Sequence, residues 1–247
     1  MQLEAVTAVI TGSSGRLGGE LALALGKVGC NCICHYHTHK ERAQQIVEQI
    51  EQGGRKAIAV QANLTDPEQI ESIFDKALEI GIPQILVNSA AIFSREPLCE
   101  ITLEQSRKVF DINVTAAVLA SGVFAERLSD KFNRSGEVIG KIINITDVGG
   151  IRPWAKYLLY CSSKTSLIGA TKALAKELAP SVCVNAIAPG LFSWPPGFND
   201  EQKKRQLAFI PLGRKAEAQD ITAALIFLLK NDYITGQVLN VDGGRCI

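Results

Sequence analysis

Short apolar, β-branched runs alternate with segments of helical period from one end of the chain to the other, and nothing else in the sequence constrains its fold as strongly. Strand-like runs cover 5–11, 30–36, 56–61, 85–88, 141–145, 182–188 and 238–241. Between them, apolar residues recur every three or four positions over 17–28, 42–52, 68–80, 103–128, 157–178 and 218–229. Thr65-Asp66-Pro67-Glu68 adds a helix start, with an N-cap and an early proline. Such alternation builds βαβ units, whose crossover helices cover both faces of a parallel sheet. The expected fold is α/β: one Rossmann-type, doubly wound domain over residues 1–247, with about seven parallel strands. The long irregular stretch from Pro189 to Asn199 holds Pro189, Pro195, Pro196, Gly190 and Gly197. Loops of that length in a compact domain are commonly functional, which places a substrate lid around 190–210.

Charge narrows the partners. The chain has 26 basic and 25 acidic residues, without the basic excess that neutralises a phosphate backbone, so no nucleic-acid partner is expected. No apolar run approaches the roughly 18 residues of a membrane span, and Met1-Gln2-Leu3-Glu4 lacks the basic start of a signal peptide. The expectation is a cytoplasmic protein without a membrane partner. The seven cysteines include no Cys-x-x-Cys pair. Cys30, Cys32 and Cys34 alternate, which in a strand puts them on one face as small buried thiols. His35, His37 and His39 take the opposite phase, but they lack the carboxylate or helical repeat of a ligand set, and no metal is expected.

Thr11-Gly12-Ser13-Ser14-Gly15-Arg16-Leu17-Gly18 follows the first strand and opens the first helix. Glycines there allow a tight turn and let a pyrophosphate approach the free N–H groups of the helix start. Gly12, Ser14, Arg16, Leu17 and Gly18 are therefore candidate cofactor contacts. A site for NAD places an acid at the end of the second strand to accept the ribose hydroxyls. Here that end reads His35-Tyr36-His37-Thr38-His39-Lys40, without an acid. Together with Arg16, the side chains of His37, Thr38 and Lys40 suit a 2′-phosphate, so NADPH is the expected cofactor. Further on, Tyr160 and Lys164 stand one helical turn apart. An ammonium near a phenol favours tyrosinate and is expected to lower its pKa from about 10.

In this order and spacing the motifs resemble the short-chain dehydrogenase/reductase family over essentially the whole chain. The glycine turn fits Thr-Gly-x-x-x-Gly-x-Gly, with Arg16 in place of the middle glycine. Tyr160 and Lys164 match the catalytic pair, and Asn113, in Asp111-Ile112-Asn113-Val114, matches the active-site asparagine. Asn88-Ser89-Ala90-Ala91 approximates the family's Asn-Asn-Ala-Gly, and Pro189-Gly190 and Val241-Asp242-Gly243-Gly244 also fit. The resemblance implies cofactor contacts from Asn63, Leu64, Asn88, Ser89, Ala90, Tyr160, Lys164, Pro189, Gly190 and Leu191, and commonly a homotetramer. The family's serine, thirteen residues before the tyrosine, is Asp147 here. Asp147-Tyr160-Lys164, Arg16 in the turn, the His-Tyr-His strand end and Phe93 together resemble the pteridine reductases. That branch implies NADPH-dependent reduction of dihydropterins, or of oxidised pterins and folates, with substrate contacts from Arg16, Phe93, Asp147, Tyr160 and Trp194. The alternative is a carbonyl reductase of the 3-oxoacyl-carrier-protein type, for which Lys203, Lys204 and Arg205 would form a basic rim toward an acidic carrier. A non-catalytic NADPH sensor would not need the Tyr160–Lys164 pair.

Overall fold

A computed structural model describes residues 1–129, 137–194 and 197–247. Seven strands form one parallel sheet in the order β3-β2-β1-β4-β5-β6-β7. They are β1 Thr7–Thr11, β2 Asn31–Tyr36, β3 Ala57–Gln61, β4 Pro83–Asn88, β5 Gly140–Ile145, β6 Val182–Pro189 and β7 Val238–Val241. Helices α1 (Arg16–Lys27), α2 (Lys40–Gln52) and α8 (Ala218–Lys230) cover one face. Their buried stripe includes Leu21, Leu25, Ile46, Ile50 and Leu225. Helices α3 (Pro67–Leu78), α5 (Ala116–Ser129) and α6 (Leu158–Glu177) cover the other, around Ile70, Phe74, Ala120 and Phe124. The chain therefore has the doubly wound α/β fold. Strand order reverses between β1 and β4, where Thr11 pairs with Asn88. The crevice above these carboxyl ends is where ligands bind in such sheets.

Cys30, Cys32 and Cys34 do share one face, fully buried under α1 and α2. Burial pushes the Cys30 and Cys34 thiols up to about 12, so they stay neutral and pack as small apolar groups.

Three features depart from the expected element pattern. The single helix expected over 103–128 is α4 (Leu103–Phe110) followed by a π turn at Asp111–Thr115 and then α5. The wider turn re-aims one side chain, and Asn113 is the residue it buries. Taken whole, Leu103–Leu128 is long and apolar enough to cross a membrane by length and composition, although no unbroken apolar run within it approaches that length. In the fold it packs on α3 and β4 and buries Ala116, Ala120, Phe124 and Leu128, as a core helix does. Finally, the 190–210 stretch contains a helix, α7 (Asp200–Leu207). Asn199 caps it and exchanges hydrogen bonds reciprocally with Gln202, a capping box legible in the sequence but masked by the proline-rich approach. Pro195 and Pro196 lie outside the described residues.

Candidate active site

The glycine turn is built for close approach. Gly12 has φ +67°, and a Cβ there would lie 2.7 Å from the Ala90 Cα. The side chain of Thr11 ties the same two segments together, its Oγ1 accepting from the N–H groups of Ser89 (3.0 Å) and Ala90 (3.2 Å). A Cβ on Gly18 would run into the Gly12 carbonyl. Helix α1 then starts at Arg16 behind Gly15, which supplies no side-chain cap. The N–H groups of Arg16, Leu17 and Gly18 have no intrahelical partner in such a start. A cradle without side chains at the positive end of a helix dipole suits a pyrophosphate.

His35 lies beneath this turn, only 2% exposed. Its Nδ1 accepts from the Gly12 N–H at 3.0 Å, and its Nε2 faces the Ala62 carbonyl at 3.1 Å. That pairing fixes the neutral tautomer with the proton on Nε2. Burial holds its pKa down to about 4, against the Ala62 bond that raises it and with the nearby His37 lowering it further. Arg16, His37, Thr38 and Lys40 are exposed or half-exposed around the turn and the end of β2.

Across the crevice, α6 presents Tyr160 and Lys164, both buried. The Tyr160 hydroxyl donates to Asp147 Oδ2 at 2.9 Å. Asp147 lies two residues beyond β5, and its Oδ1 accepts from the Gly149 N–H. The Lys164 ammonium donates to the Ile145 carbonyl at 2.8 Å and stands 5.8 Å from the centre of the Tyr160 ring. Burial lowers the Lys164 pKa to about 8, opposed by Asp147.

The phenol behaves differently from the expectation. Burial first and then the neighbouring carboxylate push the Tyr160 pKa well above the ordinary value. Lys164 does not reverse this, because it is directed at the Ile145 carbonyl while the phenol donates its hydrogen bond to Asp147. The pair is thus set as a proton donor. Burial also raises the Asp147 pKa, opposed by the Gly149 N–H, Tyr160, Lys164 and Arg245.

A pH dependence follows. While Asp147 is ionised, the Tyr160 proton points at it. Protonation frees the phenol to donate elsewhere and makes Asp147 a second donor. Reduction is therefore expected to quicken as pH falls through the raised Asp147 pKa, with the two groups titrating as a coupled unit. In Asp147→Ser, always a neutral donor, this acid-side rise is expected to disappear. An unchanged pH–rate profile would remove Asp147 from the proton chemistry.

An aromatic wall closes the pocket. Phe93, 55% exposed, stacks on Tyr157 at 5.1 Å and meets the edge of Tyr160 at 4.7 Å. Trp154 lies parallel to Tyr160 at 6.4 Å. Asn113 braces the segment before Phe93. Its Oδ1 accepts from the Ile92 N–H at 2.7 Å, and its Nδ2 donates to the Ile92 carbonyl and to Ser163 Oγ. Its side chain is thereby committed to positioning rather than to Tyr160.

Asn88 likewise turns into the core, donating to Asn144 Oδ1 at 2.9 Å, so its backbone is what borders the crevice. Asn63 accepts from the N–H and hydroxyl of Thr65, and Leu64 is buried. Gly190, just beyond Pro189, donates to the Val241 carbonyl, and a Cβ there would press on Asp242. The Leu191 carbonyl accepts from Ala216 N–H. Trp194 is half-buried.

One residue of the pocket escaped the sequence reading. Arg245, near the C-terminus, sits 5.9 Å over the Trp154 ring and donates to Gln206 of α7 at 2.7 Å. Its field reaches Asp147, and its Nη1 is buried without a hydrogen-bond partner among the described residues.

Comparison with known proteins agrees with this geometry. The family described as Enoyl-(Acyl carrier protein) reductase matches residues 13–245. The 3beta-hydroxysteroid dehydrogenase 1 of Eggerthella lenta is 36% identical, covering 99% of this chain and 95% of its own. The 3-oxoacyl-[acyl-carrier-protein] reductase of Synechocystis is 34% identical, covering 98% and 97%. A short chain dehydrogenase from Burkholderia cenocepacia J2315, solved in complex with NADP, superposes with a TM-score of 0.91 at 31% identity over 100% of both chains. The glycine turn, the Tyr160–Lys164 pair and the seven-stranded sheet thus belong together, and the chain is a member of the short-chain dehydrogenase/reductase family.

Proposed function

We propose that the chain is an NADPH-dependent carbonyl reductase, with a 3-oxoacyl thioester as its substrate class. The observation that carries this reading is the pair of potential proton donors, buried Tyr160 and half-buried Asp147, whose side-chain oxygens lie 2.9 Å apart beside Lys164. A developing alkoxide needs such donors, and positioned acid catalysis of this kind contributes about 10² to 10⁴ in rate. The Synechocystis relative bears on the substrate class, because it is named for 3-oxoacyl chemistry. No relative described above is named a pteridine reductase. The cradle without side chains at Gly12 and Gly18, the uncapped start of α1 and the acid-free end of β2 fit NADPH.

Bound NADPH supplies the hydride. Arg16, Leu17 and Gly18 would hold its pyrophosphate by their N–H groups, with Ser14, Ser89, Ala90 and the Pro189–Leu191 segment bordering the rest. His37, Thr38, Lys40 and the Arg16 guanidinium would meet its 2′-phosphate. Tyr160 delivers the proton to the substrate oxygen. Asp147, when protonated, donates beside it, and Lys164 holds the Ile145 carbonyl and the positive charge beneath the phenol. Residues 190–210, with α7, act as the lid. Lys203, Lys204 and Arg205 at its end offer a basic rim to an acidic carrier, although Lys203 already pairs with Asp200. Exposed Val118 and Leu119 on α5 suit assembly into a homotetramer, which light scattering would report. All seven cysteines are unpaired, as suits the reducing cytoplasm.

A second reading, dihydropterin reduction, is favoured by one observation: the exposed Phe93 ring stacked on Tyr157, a surface for a flat bicycle, with Asp147 in place of serine. Arg16 and Ser89 would then meet the polar edge, and Trp194 would cover the ring. On that reading Phe93→Ala is expected to raise KM for a dihydropterin by about tenfold while leaving NADPH affinity nearly unchanged. NADPH oxidation with acetoacetyl thioester, a dihydropterin, a quinonoid dihydropterin and folate separates the two. Turnover of the thioester alone supports the first reading, and turnover of the pterins alone replaces it with the second.

A further inference from the structure

We propose that His35 is a positioning residue for the cofactor: a neutral imidazole that clasps the glycine turn by accepting the Gly12 N–H and anchors it to the end of β3 through Ala62. The turn is a tight element that only glycine fits. Gly12 stands at positive φ, wedged against Ala90, and its amide must point somewhere. His35 Nδ1 takes that amide at 3.0 Å, and the backbone carbonyl of the same residue accepts both the N–H of Ser13 (2.9 Å) and its hydroxyl (3.0 Å). One residue at the end of β2 therefore fixes two successive residues of the turn. The opposite edge of the ring holds the Ala62 carbonyl, just after β3.

This has a consequence for the donors offered to a phosphate. With the Gly12 and Ser13 amides drawn inward to His35 and the Gly15 amide bonded to the Gly12 carbonyl, those at the start of α1 remain outward. Losing the clasp would let Gly12 rotate and change the carbonyl direction on which Gly15 and the first turn of α1 depend. Only a ring with an acceptor on one edge and a donor on the other satisfies both neighbours, and neutral histidine provides both.

The inference rests on the NADP(H) reading and is tested by two partial mimics. His35→Asn places an amide oxygen near Nδ1, keeping an acceptor for Gly12 and losing Ala62. His35→Gln reaches the Nε2 position, keeping a donor for Ala62 and losing Gly12. Each removes one hydrogen bond, so thermal midpoints are expected to fall alike. NADPH affinity, measured by fluorescence titration of the purified proteins, is expected to split. His35→Asn should bind within about threefold of the parent, and His35→Gln and His35→Leu about tenfold more weakly, as loss of one buried bond implies. Equal affinities for the Asn and Gln variants, with the parent binding NADPH, would overturn the clasp alone. Failure of the parent to bind NADPH would overturn the cofactor reading with it.

Discussion

Tyr160→Phe is expected to lower kcat for NADPH-dependent reduction by about 10³ while leaving NADPH affinity within about twofold. The phenyl ring keeps the edge contact with Phe93 and the parallel face toward Trp154, so packing survives. What disappears is the proton, together with the hydrogen bond to Asp147. The carboxylate then stays beside Gly149, Lys164 and Arg245 and can donate only when protonated, so residual activity should concentrate at acid pH. Single-turnover rates with each variant check this directly. A kcat within about fivefold of the parent would mean that proton delivery does not limit the reaction or comes from elsewhere.

The second large effect concerns cofactor choice. NADPH is expected to exceed NADH in kcat/KM by about tenfold or more, because one charge-assisted contact to a 2′-phosphate contributes about 1.5–3 kcal/mol. Arg16, His37, Thr38 and Lys40 surround the end of β2, and that end has no carboxylate to receive free ribose hydroxyls. Arg16→Ala and Lys40→Ala should each reduce the preference, and the double variant should bring the two cofactors near parity. Parity in the parent would contradict the assignment.

Most of the fold was legible because the sheet is buried on both faces, so its strands read as unbroken apolar runs between helix-period segments. The seven strands stand within a few residues of the expected runs. Tyr160 and Lys164 stand out by their one-turn spacing and Asp147 by the family resemblance, and the structure brings the three side chains together. The misses are tertiary. The π turn at Asp111–Thr115 leaves the apolar spacing of its helix almost unchanged, so nothing in the periodicity announces that Asn113 turns inward to hold Ile92. Arg245 reaches Trp154 and Gln206 only because the C-terminal tail folds back over α7. His35 sits in a run of polar residues that reads as a set of phosphate donors, yet it is buried and bonded to the turn. The direction of the Tyr160 pKa depends on burial and on which partner the hydroxyl meets, and a Tyr-x-x-x-Lys spacing encodes neither.

The central claim is hydride transfer from NADPH to a carbonyl carbon with Tyr160 as proton donor, and isotopic labelling tests it most directly. Parent protein would be incubated with acetoacetyl thioester and NADPH deuterated at either face of the nicotinamide C4. The account predicts that one of the two labelled cofactors places deuterium on the new carbinol carbon of the 3-hydroxyacyl product, and that Tyr160→Phe slows its formation by about 10³. Cofactor consumption with no label in that product, or formation of labelled product by Tyr160→Phe at the parent's rate, would contradict it.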